Sequence, residues 1–174
     1  VITGDHGTEA GAPHRGLGSN LPRLFYDEHL HVPLIVNGPG VAPKTIDALS
    51  SHLDLAPTIL DIAGITPPDV FQGLPIRMRH THPDTLVWSE NAGLGRCDIA
   101  TKPLYMSVRS TTHRSIVCAE NFVPELREFY NLENDPFAKD NLASGNKFTE
   151  IRESHLAAIQ KRLEKLRAQS EGQD

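Results

Sequence analysis

The sequence predicts an α/β fold: a partial parallel sheet packed with helices, followed by a small antiparallel sheet and a C-terminal helix. Three features carry this reading. The run His31–Asn37 is nearly continuously apolar, as in a strand buried on both faces of a helix-covered sheet. A well-punctuated helix follows at residues 54–64. Beyond residue 76 the texture changes to short strand-like runs separated by turns and closed by an amphipathic helix. The domain boundary is placed accordingly, with a first unit over 1–76 and a second over 77–174.

In chain order, Val1-Ile2-Thr3-Gly4 reads as the end of a buried strand, turning sharply at Gly4-Asp5-His6-Gly7. A core strand seldom starts a chain without lead-in. The first residue is Val, so the natural protein is expected to continue upstream, with any targeting signal lying there. Residues 8–23 hold Gly11, Pro13, Gly16, Gly18, Asn20 and Pro22 and read as a loop. Gly38-Pro39-Gly40 stops the strand that starts near His31.

In the helix that follows, Asp54 is placed to cap free N–H groups. Pro57 sits in the first turn, where a missing donor costs little, and Gly64 suits the left-handed position past the end. Leu55, Ile59, Ile62 and Ala63 share one face. The strands expected next are Thr85–Ser89, Leu104–Arg109, Arg114–Ala119 and Leu126–Leu132. From about Asn146 to Gln169, Phe148, Ile151, Leu156, Ile159, Leu163 and Leu166 form a stripe expected to lie across the antiparallel sheet. Early Glu150 and Glu153 and late Lys161, Arg162, Lys165 and Arg167 match the helix dipole.

Composition narrows the function. A net charge of -5 leaves no basic excess to neutralise phosphates and argues against nucleic acid as a partner. No apolar run is long enough to span a bilayer. Cys97 and Cys118 show no metal-binding spacing and read as independent thiols, with a single disulfide between them as the alternative. No Ser lies in a GxSxG elbow, and no phosphate-cradling glycine loop is present.

Asp5-His6 is the most informative pair. Neighbouring side chains diverge in a regular strand; here Gly4 and Gly7 permit a turn that lets them converge. They sit where a buried strand ends, the place where α/β sheets gather ligands. A carboxylate beside an imidazole suits a divalent cation. His14, Arg15 and Arg23 in the next loop could face an anion bound there, arginine with a bidentate fork. His29, His31, His52, His80, His82 and His113 are scattered and read as structural or solvated, although His80 and His82 share a chelating spacing.

The ordered motifs resemble the sulfatases of the alkaline-phosphatase superfamily. Thr3-Gly4-Asp5-His6-Gly7 is similar to their S/T-x-D-H/N-G segment. Leu24-Phe25-Tyr26-Asp27-Glu28, running on to Val32-Pro33-Leu34-Ile35-Val36, resembles the L-Y-[DE]-E-x-x-x-V-P-L-I-V block, and Gly38-Pro39-Gly40-Val41 follows it. Ser51-His52-Leu53-Asp54-Leu55-Ala56-Pro57-Thr58 opens the S-H-x-D-L-x-P-T block, and Gly73-Leu74-Pro75 resembles the link to a C-terminal subdomain. Glu128-Phe129-Tyr130, then Asp135-Pro136 and Asn141-Leu142-Ala143, resemble the ending of the series, which covers residues 1–143.

The resemblance implies an alkaline-phosphatase-like sandwich as the fold. It implies hydrolysis of a small-molecule or carbohydrate sulfate ester by a formylglycine made from an upstream C/S-x-P-x-R motif. It makes Asp5 and His6 ligands of a divalent cation, calcium in the usual case, with Mn or Zn also suited by the imidazole. Neither cysteine here fits C-x-P-x-R, so the nucleophile and the upstream Asp pair are expected outside this chain. The family's sulfate-holding Lys or His has no Lys counterpart in the 8–23 loop; His14 is the first candidate, with Arg15 or Arg23 as substitutes. Related phosphodiesterases and phosphonate hydrolases also use Asp-His, so a phosphorus substrate is the alternative, and a non-catalytic domain of the same fold is a third. A half-sheet with bare faces is expected to aggregate when isolated.

Overall fold

The computed structural model describes residues 1–8, 24–81, 85–91 and 103–171. Its elements are β1 (Ile2–Thr3), the single turn α1 (Asp27–Leu30), β2 (Leu34–Ile35), a 3-10 turn at His52–Asp54, α2 (Leu55–Ile62), a second 3-10 segment at Ile76–Thr81, β3 (Val87–Asn91), β4 (Leu104–Arg109), β5 (His113–Glu120), β6 (Val123–Asn131) and α3 (Thr149–Glu171).

The C-terminal half is an antiparallel meander, β3-β4-β5-β6, with α3 laid across it. Its register sorts the side chains into two faces. Trp88, Met106, Val108, Ser115, Val117 and Phe129 fall on one, and Val87, Ser89, Ser107, Arg109, Arg114, Ile116 and Tyr130 on the other. The first face meets α3, where Ile159 and Leu163 are fully buried over Met106, Val108, Val117 and Ala119. Burying a side chain of that size stabilises by about 1.5–3 kcal/mol, so this contact holds the helix. Arg162 adds a link from α3 to Glu90 on edge strand β3 at 2.7 Å. The expected placement of the amphipathic helix is therefore observed.

Two local features shape β6. Asn121 and Phe122 both take positive φ, 50° and 62°, in the two-residue link from β5. Such a turn matches the twist of a hairpin, although a bulky Phe there is strained. The pairing slips between Ile116 and Val117, leaving Arg127 as the extra residue of a bulge. Asn141 pins that bulge, donating to the Arg127 carbonyl at 3.1 Å and accepting from the Phe129 N–H at 3.1 Å.

The second sheet face receives the N-terminal half. Phe25 and Tyr26 pack on Ile116, Tyr130 and Leu132. The Tyr26 hydroxyl donates to Glu128 at 2.6 Å, and the Tyr130 hydroxyl donates to the same oxygen at 2.8 Å. Asp27 accepts from Arg109 at 2.6 Å and also from Arg114, which is 1% exposed. Burial alone would raise the Asp27 carboxyl, but the charges and hydrogen bonds of Arg114 and then Arg109 outweigh it and hold the group below its ordinary range. The Tyr-Asp of the Leu24–Glu28 block and the Glu-x-Tyr of the final block are thus two sides of one joint.

The first half departs from the sequence expectation in three respects. β1 and β2 pair antiparallel, Ile2 with Ile35 and Thr3 with Leu34, so these two segments are not parallel neighbours. They are also not buried, since Ile2 is 66% and Ile35 55% exposed. On α2 the apolar stripe faces outward, with Ile59 and Ile62 exposed, while Pro57 and Thr58 are buried. The cause is polar: Thr58 donates to the Asp54 carbonyl at 2.5 Å and accepts from the Ile76 N–H at 2.9 Å, turning that face toward the 73–79 segment. Gly64 does take the left-handed conformation, φ 73°, and the Ile65 N–H closes the helix end on the Leu60 carbonyl at 2.9 Å.

Candidate functional site

The Asp5-His6 turn is built by glycine contacts. A Cβ on Gly7 would overlap the carbonyl oxygen of Glu28, and the Gly7 N–H donates to the His29 carbonyl at 2.8 Å. Only glycine allows so close a docking of the turn on α1. Since α1 carries Asp27, the turn is referenced through α1 to Arg109 and Arg114 on the sheet.

Within the turn both side chains are exposed and oriented. Oδ1 of Asp5 accepts the His6 N–H at 2.9 Å. The His6 Nδ1 lies 2.8 Å from the Gly7 carbonyl. A carbonyl only accepts, so Nδ1 carries a proton, which leaves Nε2 as the ring nitrogen available to a metal. This hydrogen bond from the far nitrogen to a carbonyl is the arrangement that orients a metal-binding histidine. The atoms left over, Asp5 Oδ2 and His6 Nε2, are 3.7 Å apart. These two atoms would be the donors to a divalent cation held at the turn, which suits a carboxylate oxygen beside an imidazole nitrogen. The His6 backbone N–H, followed by the Asp5 backbone N–H and the charge of His6, lowers the Asp5 carboxyl, so it is ionised at neutral pH.

Among the described residues no group of three or more His, Cys, Asp or Glu is placed to hold a metal. The pair therefore offers two donors, and a complete shell needs donors from elsewhere. His14, Arg15 and Arg23, the expected anion contacts, lie outside the described residues, as do Cys97 and His82. Cys118 is buried on β5 opposite Tyr105.

Asp5 and His6 line a trough of about 1860 Å³ together with His31, His52, Arg77 and Arg109. This exceeds the ~300–1,000 Å³ of a closed small-molecule pocket. The trough runs from the Asp5-His6 turn to the polar face of the sheet.

Beneath the trough lies a group whose role the sequence did not disclose. Asp54 does not cap α2. Its fully buried carboxylate accepts from the Ser51 N–H at 2.9 Å, the Leu74 N–H at 2.9 Å and Arg79 Nε at 2.8 Å, with a second bond from the Arg79 guanidinium. The backbone between them allows no side chain, since a Cβ on Gly73 would overlap the Leu53 carbonyl. His155 on α3 also escaped notice. It is 3% exposed, bonds Ser115 at 2.9 Å and lies edge-on to Phe129, which stacks on His113. Only its position within the α3 stripe could have flagged it.

Residues 20–169 match the family described as N-sulphoglucosamine sulphohydrolase, C-terminal. The chain belongs to the sulfatase family, as its C-terminal portion. It is 31% identical over 171 residues to the Delta 4,5-hexuronate-2-O-sulfatase of Bacteroides thetaiotaomicron, covering 91% of this chain and 33% of the relative. It is 30% identical over 151 residues to the choline-sulfatase of Rhizobium meliloti, covering 82% and 26%. The solved structure of a 2-O GAG sulfatase superposes with a TM-score of 0.72 at 29% identity, over 94% of this chain and 35% of that one. The alkaline-phosphatase-like fold expected from the motifs is thereby established. The chain spans about a third or less of the length of these sulfatases. No helix among the described residues is long and apolar enough to cross a membrane.

Proposed function

We propose that this chain is the C-terminal portion of an enzyme that hydrolyses sulfate esters, and that Asp5 and His6 supply two of the ligands of its divalent cation. The observation that carries the reading is the hydrogen bond between the His6 ring and the Gly7 carbonyl. With Nδ1–H held by the Gly7 carbonyl, the free Nε2 and the free Asp5 Oδ2 face one another in solvent at 3.7 Å. An exposed pair without a ligand would gain little from such orientation. The relatives' names supply the ester chemistry: one acts on a hexuronate 2-O-sulfate, another is a choline-sulfatase. The substrate class is accordingly a small-molecule or carbohydrate sulfate ester.

The chain's own groups then have defined tasks. Asp5 and His6 would hold the cation, calcium by family analogy, with Mn and Zn compatible with the imidazole. When bound, the cation neutralises the sulfate and lowers the pKa of the attacking group. Gly7 sets the turn on α1, and Asp27 with Arg109 and Arg114 fixes α1 on the sheet. The nucleophile, a formylglycine in this reading, comes from the upstream part of the protein, as do the remaining cation ligands.

The test is turnover by the full-length protein. Sulfate release from an aryl or sugar sulfate, at least 100-fold faster than phosphate release from the matching phosphodiester, supports the reading. Faster phosphorus hydrolysis, or no hydrolysis of either ester, would overturn it.

A further inference from the structure

We propose that His52 is a substrate-contact residue, donating a hydrogen bond to the anionic group held at Asp5 and His6; this rests on the function proposed above. His52 lines the same trough as that pair. It lies near enough to Asp5 for the two side chains to interact through space. Yet it makes no three-donor metal cluster with Asp5 and His6. A donor lining that trough beside the pair is placed to meet an anion held there.

The mount of His52 is the second part of the argument. His52 and Leu53 are exposed on a 3-10 turn of three residues, a type of element that ordinarily frays. Here the turn is locked. Ser51 accepts the Leu53 N–H at 3.2 Å, Asp54 answers to the Ser51 N–H at 2.9 Å, and the Gly73 backbone wedges under Leu53. The fully buried Asp54 carboxylate and Arg79 guanidinium anchor the whole from below. Burying an ion pair carries a large desolvation cost and is weak as a source of stability alone. Set under an exposed turn, it fixes the backbone from which His52 projects. A donor carried on a rigid mount needs less reorganisation on binding, which favours interaction with oxyanions. The ligand chemistry is that of a tetrahedral oxyanion, met first as the sulfate of the ester and then as the sulfate product.

The experiment uses the full-length protein and inorganic sulfate as probe, measured by calorimetry, with KM and kcat for an aryl sulfate and metal content alongside. His52→Ala is expected to weaken sulfate binding and raise KM by 10-fold or more, with metal content unchanged. His52→Gln, which keeps a donor, should recover most of the loss, and the neighbouring Leu53→Ala should match wild type. Sulfate affinity and KM within twofold of wild type in His52→Ala would overturn the assignment while leaving the sulfatase reading standing. Loss of metal together with sulfate would also overturn it, making His52 a ligand instead. If the wild type neither binds sulfate nor cleaves the ester, the underlying function fails, and this assignment with it.

Discussion

Acid should loosen α3 through His155, and the size of the effect follows from its surroundings. Burial, then the charge of His113, pushes the His155 imidazole down to about 4 from an ordinary 6.5. The neutral ring is the form that fits, bonded to Ser115 and flanked by Phe129. On unfolding, the ring recovers its ordinary affinity and binds a proton that the folded state refuses. Stability from this site is therefore complete above about pH 6.5 and lost as pH falls toward 4. A gap of about 2.5 pH units corresponds to about 3 kcal/mol at full protonation, of which roughly 2 kcal/mol is already gone at pH 5.

His155→Gln keeps an amide for Ser115 and removes the titration. Trp88, the one tryptophan of these 174 residues, packs against the core under α3 and reports its unfolding by fluorescence. Urea melts at pH 7 and pH 5 should show wild type losing about 2 kcal/mol more than the variant over that interval. His113, buried and also held below its ordinary range by desolvation, titrates in both proteins, so the difference reports His155 together with its coupling to His113. Equal pH slopes in the two proteins would show that His155 is not the acid-sensitive group.

Other perturbations separate scaffold from site. Arg79→Ala strands the Asp54 carboxylate in a fully buried position and should destabilise by about 3–5 kcal/mol, read in the same urea melts. Ile159→Ala removes the centre of the α3 contact and should cost about 2–5 kcal/mol, with a lowered melting midpoint as the readout. Gly7→Ala forces the Asp5-His6 turn away from Glu28; the full-length protein should then stay folded by circular dichroism and lose at least 10-fold in cation affinity.

The parts of the fold legible in the sequence were those governed by local rules. Gly64 ended α2 because only a left-handed residue fits there, and the three-to-four spacing of Ile159 and Leu163 placed α3 on the sheet. The strands were found within a few residues of their observed ends. What escaped was decided at long range. The Asn121-Phe122 hairpin link has no glycine to announce it. The outward turn of the α2 stripe depends on Thr58 meeting Ile76, and the task of Asp54 depends on Arg79, 25 residues away. A carboxylate before a helix reads as a cap until its true partner is known. The pair Asp5-His6 was visible because its donors are adjacent, whereas His52 reaches the site only through the fold, and the residues expected to meet the sulfate, His14, Arg15 and Arg23, fall outside the described structure.

The central claim is that Asp5 and His6 hold a cation, and metal analysis of the full-length protein tests it most directly. Purified wild type should carry about one divalent cation per chain, and Asp5→Ala and His6→Ala should each lose it along with ester hydrolysis while remaining folded. Full metal content and unchanged hydrolysis in both variants would contradict the account.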